Sequence, residues 1–336
     1  MVDRDDNDNG YLWDKSGPPD PDVQHLERLL GRLGHRGEAP RPLRRVGRSW
    51  VLIAAAAAIV LAAGAAWVAR TLDRTHWKVE RVAGAPVVAD RPIGETARLS
   101  VGQVLETDSA SRARLAVGLI GEVEVSPNSR LRLVRANSSD HRLTLERGSI
   151  GARIWAPPRL FFVQTKSALA VDLGCVYRLS VDDAGSGMLS VETGWVALVE
   201  GDREAVVPAD ASCRMRPGAG PGTPFFDDAS PAFRAALDRV DDAPEDGTAL
   251  ETVLAQARRR DALTLWHLLA RLPPDACLRV NDRLAELVPA PAGVAREGIA
   301  RHDRRMLDLW RSELGLPAPE TSTLWQRVLT ALSPRR

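Results

Sequence analysis

Six histidines, three cysteines and one adjacent pair of aspartates are the residues of this 336-residue chain whose types invite chemistry. His25, His35, His76, His141, His267 and His302 are scattered, and none has a second histidine or cysteine at i+3 or i+4, so a zinc donor set is missing. Cys175, Cys213 and Cys277 form no CxxC pair. They read as buried free thiols, with a Cys175–Cys213 disulfide as the alternative if that region is exported. Asp182–Asp183 in VDDAGSG reads as a turn between strands, with a calcium site as the alternative. There is no HExxH, no GxSxG, no P-loop and no GxGxxG opening a helix after a strand, and GAGPG at 218–222 has no Lys-Ser/Thr behind it. The residues therefore predict no catalytic group, no metal, no cofactor and no enzyme. Lys and Arg number 45 against 44 Asp and Glu, a formal charge of +1, which predicts no nucleic-acid partner. Arg258 to Arg260 and Arg304–Arg305 read as solvated helix faces.

Binding is left, and its setting depends on the apolar run RSWVLIAAAAAIVLAAGAAWVAR at 48–70. From Trp50 to Ala69 about twenty residues pass without a charge, or roughly 30 Å of helix, the thickness of a bilayer core. Val51, Leu52, Ile53, Ile59, Val60 and Leu61 supply most of the insertion energy, and Trp50 and Trp67 lie where indoles favour the headgroup zone. A cleaved signal would not be preceded by nearly fifty residues, and a soluble helix apolar all round is rare. The run predicts a single transmembrane helix over 50–69 in contact with membrane lipid. Arg32, Arg36, Arg41, Arg44, Arg45 and Arg48 precede it. They favour an inner-membrane protein with its N-terminus inside and the bulk of the chain in the periplasm or outside.

Residues 1–49 then form a cytoplasmic tail. Pro18, Pro19 and Pro21 mark a turn, Asp20 or Asp22 can cap a short helix, and Val23, Leu26, Leu29, Leu30 and Leu33 fall at helical spacing. Tyr11, Leu12 and Trp13 lie just upstream. The segment reads either as a weakly ordered stretch or as a docking peptide that lays its stripe into a partner's groove. After a spacer at 70–92 the pattern changes to period two over 93–216. Leu131, Leu133, Leu143 and Leu145 alternate with Arg or Thr, and turns recur about every ten residues. This predicts an all-β domain, a solenoid or a sandwich, with the near-repetitive segments favouring the solenoid. A linker at 217–227 leads to helical patterns over 228–336, including PAFRAALDRV, one long helix ALETVLAQARRRDALTLWHLLARL and a final helix that takes in Leu324 to Leu332. The fold class expected is mainly β, with a single transmembrane helix and a C-terminal α-helical domain.

The β region resembles the FecR family of bacterial regulators. The resemblance rests on VGQVLETDSASRARLAV, GEVEVSPNSRLRLV, LTLERGSIGARI, FFVQTKSALAVDLGCVYRLSV and LSVETGWVALV, with Gly102, Thr107, Thr165, Gly174 and Gly194 in the shared motif positions. It covers about 120 residues. Cys175 and Val176 stand where the family usually has Gly-Thr. Glycines there permit positive φ at tight corners, and the threonines can bond to turn backbone, so the motif implies architecture and no chemistry. The family layout implies an anti-sigma-type membrane regulator: a sigma factor held at the tail, and an exported β domain that senses an envelope protein or glycan. The alternative is a binding scaffold without sigma-factor control. The tail is shorter than the cytoplasmic module of the family's best-known members, and the C-terminal helices replace their small receptor-contacting module.

Overall fold

The computed structural model describes residues 21–31 and 76–317. The chain divides into two compact units, 1–65 and 66–336. In the first, the described residues are one helix, α1 (Pro21–Leu30), with Asp22 in its first turn and Arg28 in its last, charges that complement the helix dipole.

The second unit opens with a β body. Its strands are β1 (His76–Ala83), β2 (Val87–Val88), β3 (Arg91–Pro92), β4 (Thr96–Ser100), β5 (Val104–Glu106), β6 (Arg112–Val117), β7 (Gly121–Val125), β8 (Arg130–Ala136), β9 (His141–Ile154), β10 (Phe161–Gln164), β11 (Leu169–Asp172), β12 (Val176–Val181), β13 (Gly187–Thr193), β14 (Trp195–Glu200), β15 (Arg203–Pro208), β16 (Ala211–Arg216), β17 (Gly220–Pro221) and β18 (Phe225–Phe226). Pairing sorts them into two layers. One runs β4-β1-β6-β7-β9-β12-β13-β16. The other runs β3-β2-β5-β8-β9-β10-β11-β14-β15. All of these pairs are antiparallel except β9 with β10.

Strand β9 belongs to both layers. Its first half, to Arg147, pairs with β8, and its second half, from Gly148, pairs with β7 and β12. The crossing is at Gly148, whose φ is +92° and where a Cβ would lie 2.2 Å from Ser129 Oγ, so only glycine fits. From β6 on, the hairpins pass back and forth between the layers: β6–β7 in the first, β8–β9 and β10–β11 in the second, β12–β13 in the first, β14–β15 in the second. This alternation explains the near-repetition of the sequence. It comes from hairpins stacked in two antiparallel layers rather than from parallel solenoid coils. Leu131, Leu133, Leu143 and Leu145 are fully buried between the layers, with Trp77, Phe161 and Tyr177.

A helical part follows: α2 (Pro231–Asp242), α3 (Gly247–Gln256), a 3₁₀ turn at Arg259–Asp261, α4 (Ala262–Leu269), α5 (Pro274–Leu287), α6 (Arg296–Ala300) and α7 (Arg304–Glu313). Ser230 caps α2 through Phe233 N, and Asp246 caps α3 through Ala249 N. The long helix expected over 249–272 is broken at Ala257, which is extended. There the buried Asp261 carboxylate accepts Arg258 N at 2.9 Å and Arg258 Nε at 2.7 Å, restarting the chain as α4.

The helices pack on the β body. Trp195, Met188 and Phe226 lie against the helical core. The Arg311 guanidinium, buried over the Trp266 ring, donates to Glu204 on β15 at 2.9 and 3.4 Å and to the Pro317 carbonyl at 2.5 Å. Buried Arg271 donates to Thr223 Oγ1 at 3.0 Å and to Glu204 O at 3.2 Å.

The single-pass fold class and location require correction. Among the described residues no helix is long and apolar enough to cross a membrane. The longest, α5, has 14 residues, about 21 Å against a core of about 30 Å, and its sequence PDACLRVNDRLAEL is charged on one side. The expected span at 50–69, with Trp50, Val51, Leu52, Ile53, Ile59, Val60, Leu61 and Trp67, lies outside the described residues. The architecture is a mostly β body with a C-terminal helical part.

Candidate partner-binding surfaces

Helix α1 carries the first surface. Val23, Leu26, Leu29 and Leu30 occupy one arc of about 120° at 100° per residue. The helix buries none of its residues, and Leu26, Leu29 and Leu30 are 55, 53 and 59% exposed, while Val23 is half-buried. Tyr11, Leu12, Trp13 and Leu33, expected to extend this surface, lie outside the described residues.

The five motif residues of the β body sit in turns and join strands. Thr107 Oγ1 donates to Ser126 O at 2.7 Å and accepts from Ser129 N at 2.9 Å, tying the turn after β5 to the turn before β8. Thr165 Oγ1 accepts from Ser167 N and Ala168 N and closes the β10–β11 turn. Gly102 (φ +88°) turns the chain before β5, with its N–H donating to Leu133 O at 2.7 Å. Gly174 and Gly194 face each other: a Cβ on Gly194 would meet Gly174 O at 2.2 Å.

At one end of the body the turn between β6 and β7 and the end of β9 make a second surface. Trp155 is 63% exposed and Leu119 71%, with Ile120 packed behind them against the core. The indole is held in place, since Trp155 Nε1 donates to Leu119 O at 3.3 Å and Trp155 N to Ile120 O at 3.0 Å. Arg153 beside it pairs with Glu122 at 2.8 Å. This is an exposed aromatic patch with a charged margin.

Beneath the neighbouring loop lies a polar cluster that pattern reasoning missed. Asp172, at the end of β11, is buried and accepts from Gly174 N at 2.7 Å and from Cys175 Sγ at 2.6 Å. Burial raises its pKa to about 6, against the thiol and backbone hydrogen bonds. Burial, with Asp172 alongside, pushes the Cys175 thiol far above its ordinary range, and Tyr177 is raised in the same way. A thiol so disfavoured as thiolate is no nucleophile. Cys277 lies 3.4 Å from His302 Nε2, but its thiol donates to the Leu269 and Leu272 carbonyls and burial raises its pKa to about 11. All three cysteines are free and buried. Asp182 caps its own turn through Ser186 N.

Two crystal structures of a protein from Parabacteroides distasonis, provisionally named an anti-sigma factor, are similar to this chain. Each matches with a TM-score of 0.33 and 16% sequence identity, over 40% of this chain and 63% and 62% of the other. The chain thus spans under two thirds of the length of those proteins. No family model matches the chain, and no curated protein matches it.

Proposed function

We propose that this protein is a regulator that restrains an alternative sigma factor through the apolar stripe of α1, while its β body binds a second ligand. The observation that carries the reading is a short helix with three leucines more than half exposed on one arc and no residue buried. Ten residues cannot hold a helix by themselves, so such a stripe gains most by folding into a groove. The motif resemblance of the β body supplies the class of partner.

A second reading is favoured by the Trp155–Leu119 platform: a scaffold whose β body binds protein or glycan, with no sigma factor involved. The two separate in one experiment. Full-length protein is used as bait for the sigma factors of its own cell, alongside a Leu26→Asp/Leu30→Asp variant and a Trp155→Ala variant. The first reading predicts that a sigma factor is retained by the wild type and by Trp155→Ala and lost by the leucine variant. Retention of no sigma factor by any of the three discards it.

A further inference from the structure

Where two charged side chains face each other across strands of the first layer, they are opposite in sign, with one exception among the described residues. Arg114 on β6 lies between Glu80 on β1 and Glu124 on β7, and Arg153 on β9 is opposite Glu122 on β7. Ion pairs follow from that register: Arg153 meets Glu122 at 2.8 Å, and Arg114 meets the same carboxylate at 3.8 Å. The exception is Lys78 on β1, which is directly opposite Arg98 on β4. Like charges facing each other across a ladder cost stability. Lys78 turns along its own strand to Glu80 at 2.7 Å, and the exposed Arg98 has no ion-pair partner among the described residues.

Beside this pair the sheet is hollowed. The other neighbour of Lys78 is Ala116 on β6, and Gly118 follows it on the same side of the strand. With almost no side chain at those two positions, a space of about 470 Å³ opens between them and His76, Lys78, Thr96 and Arg98. That is room for a ring-sized ligand rather than a bare ion. The sheet leads from it to the exposed aromatic patch. Ala116 is opposite Glu122, and Glu122 is opposite Arg153, two strands or about 10 Å away. Trp155 follows two residues further on, with most of its indole exposed.

We propose that this hollow, together with Trp155, is a binding site for an acidic glycan, a chain of sugars that carry carboxylate groups. The Arg98 fork takes both oxygens of one carboxylate and Lys78 adds its charge, which relieves the repulsion between the two cations. The two cations and Glu80 leave one net positive charge, a match for a carboxylate rather than for a doubly charged phosphate. The sugar ring fills the space over Ala116 and Gly118, and a later ring of the chain lies on the indole face of Trp155. A run of acidic side chains would meet the cations but not the indole. The site rests on the reading that the β body binds a second ligand, and it names the class of that ligand.

The test is calorimetric titration of the full chain with a galacturonate oligosaccharide at about 0.15 M salt, beside a neutral glucose oligosaccharide and polyglutamate. Arg98→Gln, Trp155→Ala and Arg178→Gln are compared with the wild type. Arg178 is exposed on the same layer, on β12, away from the hollow. The wild type should bind galacturonate, show no binding of the neutral sugar, and bind polyglutamate about tenfold more weakly or less. Arg98→Gln should weaken galacturonate binding about tenfold or more, Trp155→Ala several-fold, and Arg178→Gln not at all. No binding of galacturonate by the wild type, equal binding of polyglutamate, or equal losses in Arg98→Gln and Arg178→Gln overturns the site. Retention of a sigma factor by a wild type that binds no galacturonate would overturn the site and leave the reading of α1 standing.

Discussion

Replacing Asp172 by asparagine changes how stability depends on pH, and the size of the change follows from the carboxyl group's surroundings. The folded state holds this carboxyl at a pKa of about 6 against an ordinary 3.8 because burial disfavours the charge more than Gly174 N and the Cys175 thiol favour it. The folded protein therefore binds the proton more tightly than the unfolded chain. The stabilisation is complete below about pH 3.8, is lost as pH rises towards 6, and is absent above it. At 1.36 kcal/mol per pH unit the interval is worth about 3 kcal/mol. His141 and His267 slope the other way. Burial depresses both, so their contribution is present above about pH 6.5 and lost as pH falls. Those contributions are common to both proteins and cancel in the difference, and Cys175 and Tyr177 stay neutral throughout. Urea unfolding of wild type and Asp172→Asn at half-unit intervals from pH 4 to 7.5 measures it. Because the range starts just above the unfolded pKa, the variant should gain about 2.4 kcal/mol of that relative to the wild type between its ends. Parallel profiles, within about 0.5 kcal/mol, would refute the assignment of a buried neutral acid.

Gly194→Ala places a methyl group 2.2 Å from Gly174 O at a φ of +77°, and should cost about 2 kcal/mol or more, read as a fall of about 4–8 °C in Tm. Thr107→Val removes the donor to Ser126 O and the acceptor for Ser129 N, and chemical denaturation should show a loss of about 1–3 kcal/mol. Arg311→Met leaves Glu204 and the Pro317 carbonyl without their shared cation. Because Glu204 remains about a third exposed, the cost should be about 1–3 kcal/mol, below that of breaking a fully buried pair. Calorimetry should then resolve the helical part melting ahead of the β body.

Local patterns were legible where burial follows strand alternation. Leu131, Leu133, Leu143 and Leu145 could be assigned inward from their alternation with Arg and Thr, and all four are fully buried. The layer arrangement was less legible, because hairpins that alternate between two layers and coils that stack in a solenoid repeat at similar intervals. The crossing at Gly148 depends on Ser129, nineteen positions earlier. Strand β1 lies in the stretch read as a spacer, although Trp77 and Val79 alternate with Lys78 and Glu80 and are buried. Asp172 escaped notice because nothing local distinguishes a buried aspartate from a turn residue. Its one signal was the uninterrupted run ALAVDL, since a strand covered on both faces loses alternation. On α1 Leu26, Leu29 and Leu30 are exposed, while Tyr11, Leu12, Trp13 and Leu33 fall outside the described residues. For 50–69, composition alone suggested a span, and no described helix supports one.

Restraint of a sigma factor by α1 is tested most directly by the affinity of the full chain for a sigma factor of its own cell, measured by calorimetry for wild type and for Leu26→Asp/Leu29→Asp/Leu30→Asp. Burying the exposed halves of three leucines yields about 1–1.5 kcal/mol each, about 3–4.5 kcal/mol together, so the wild type should bind about 100- to 2,000-fold more tightly than the variant. The variant's unfolding curve should be unchanged, because Leu26, Leu29 and Leu30 are each more than half exposed. Equal affinity of the two proteins, or no binding by either, would contradict it.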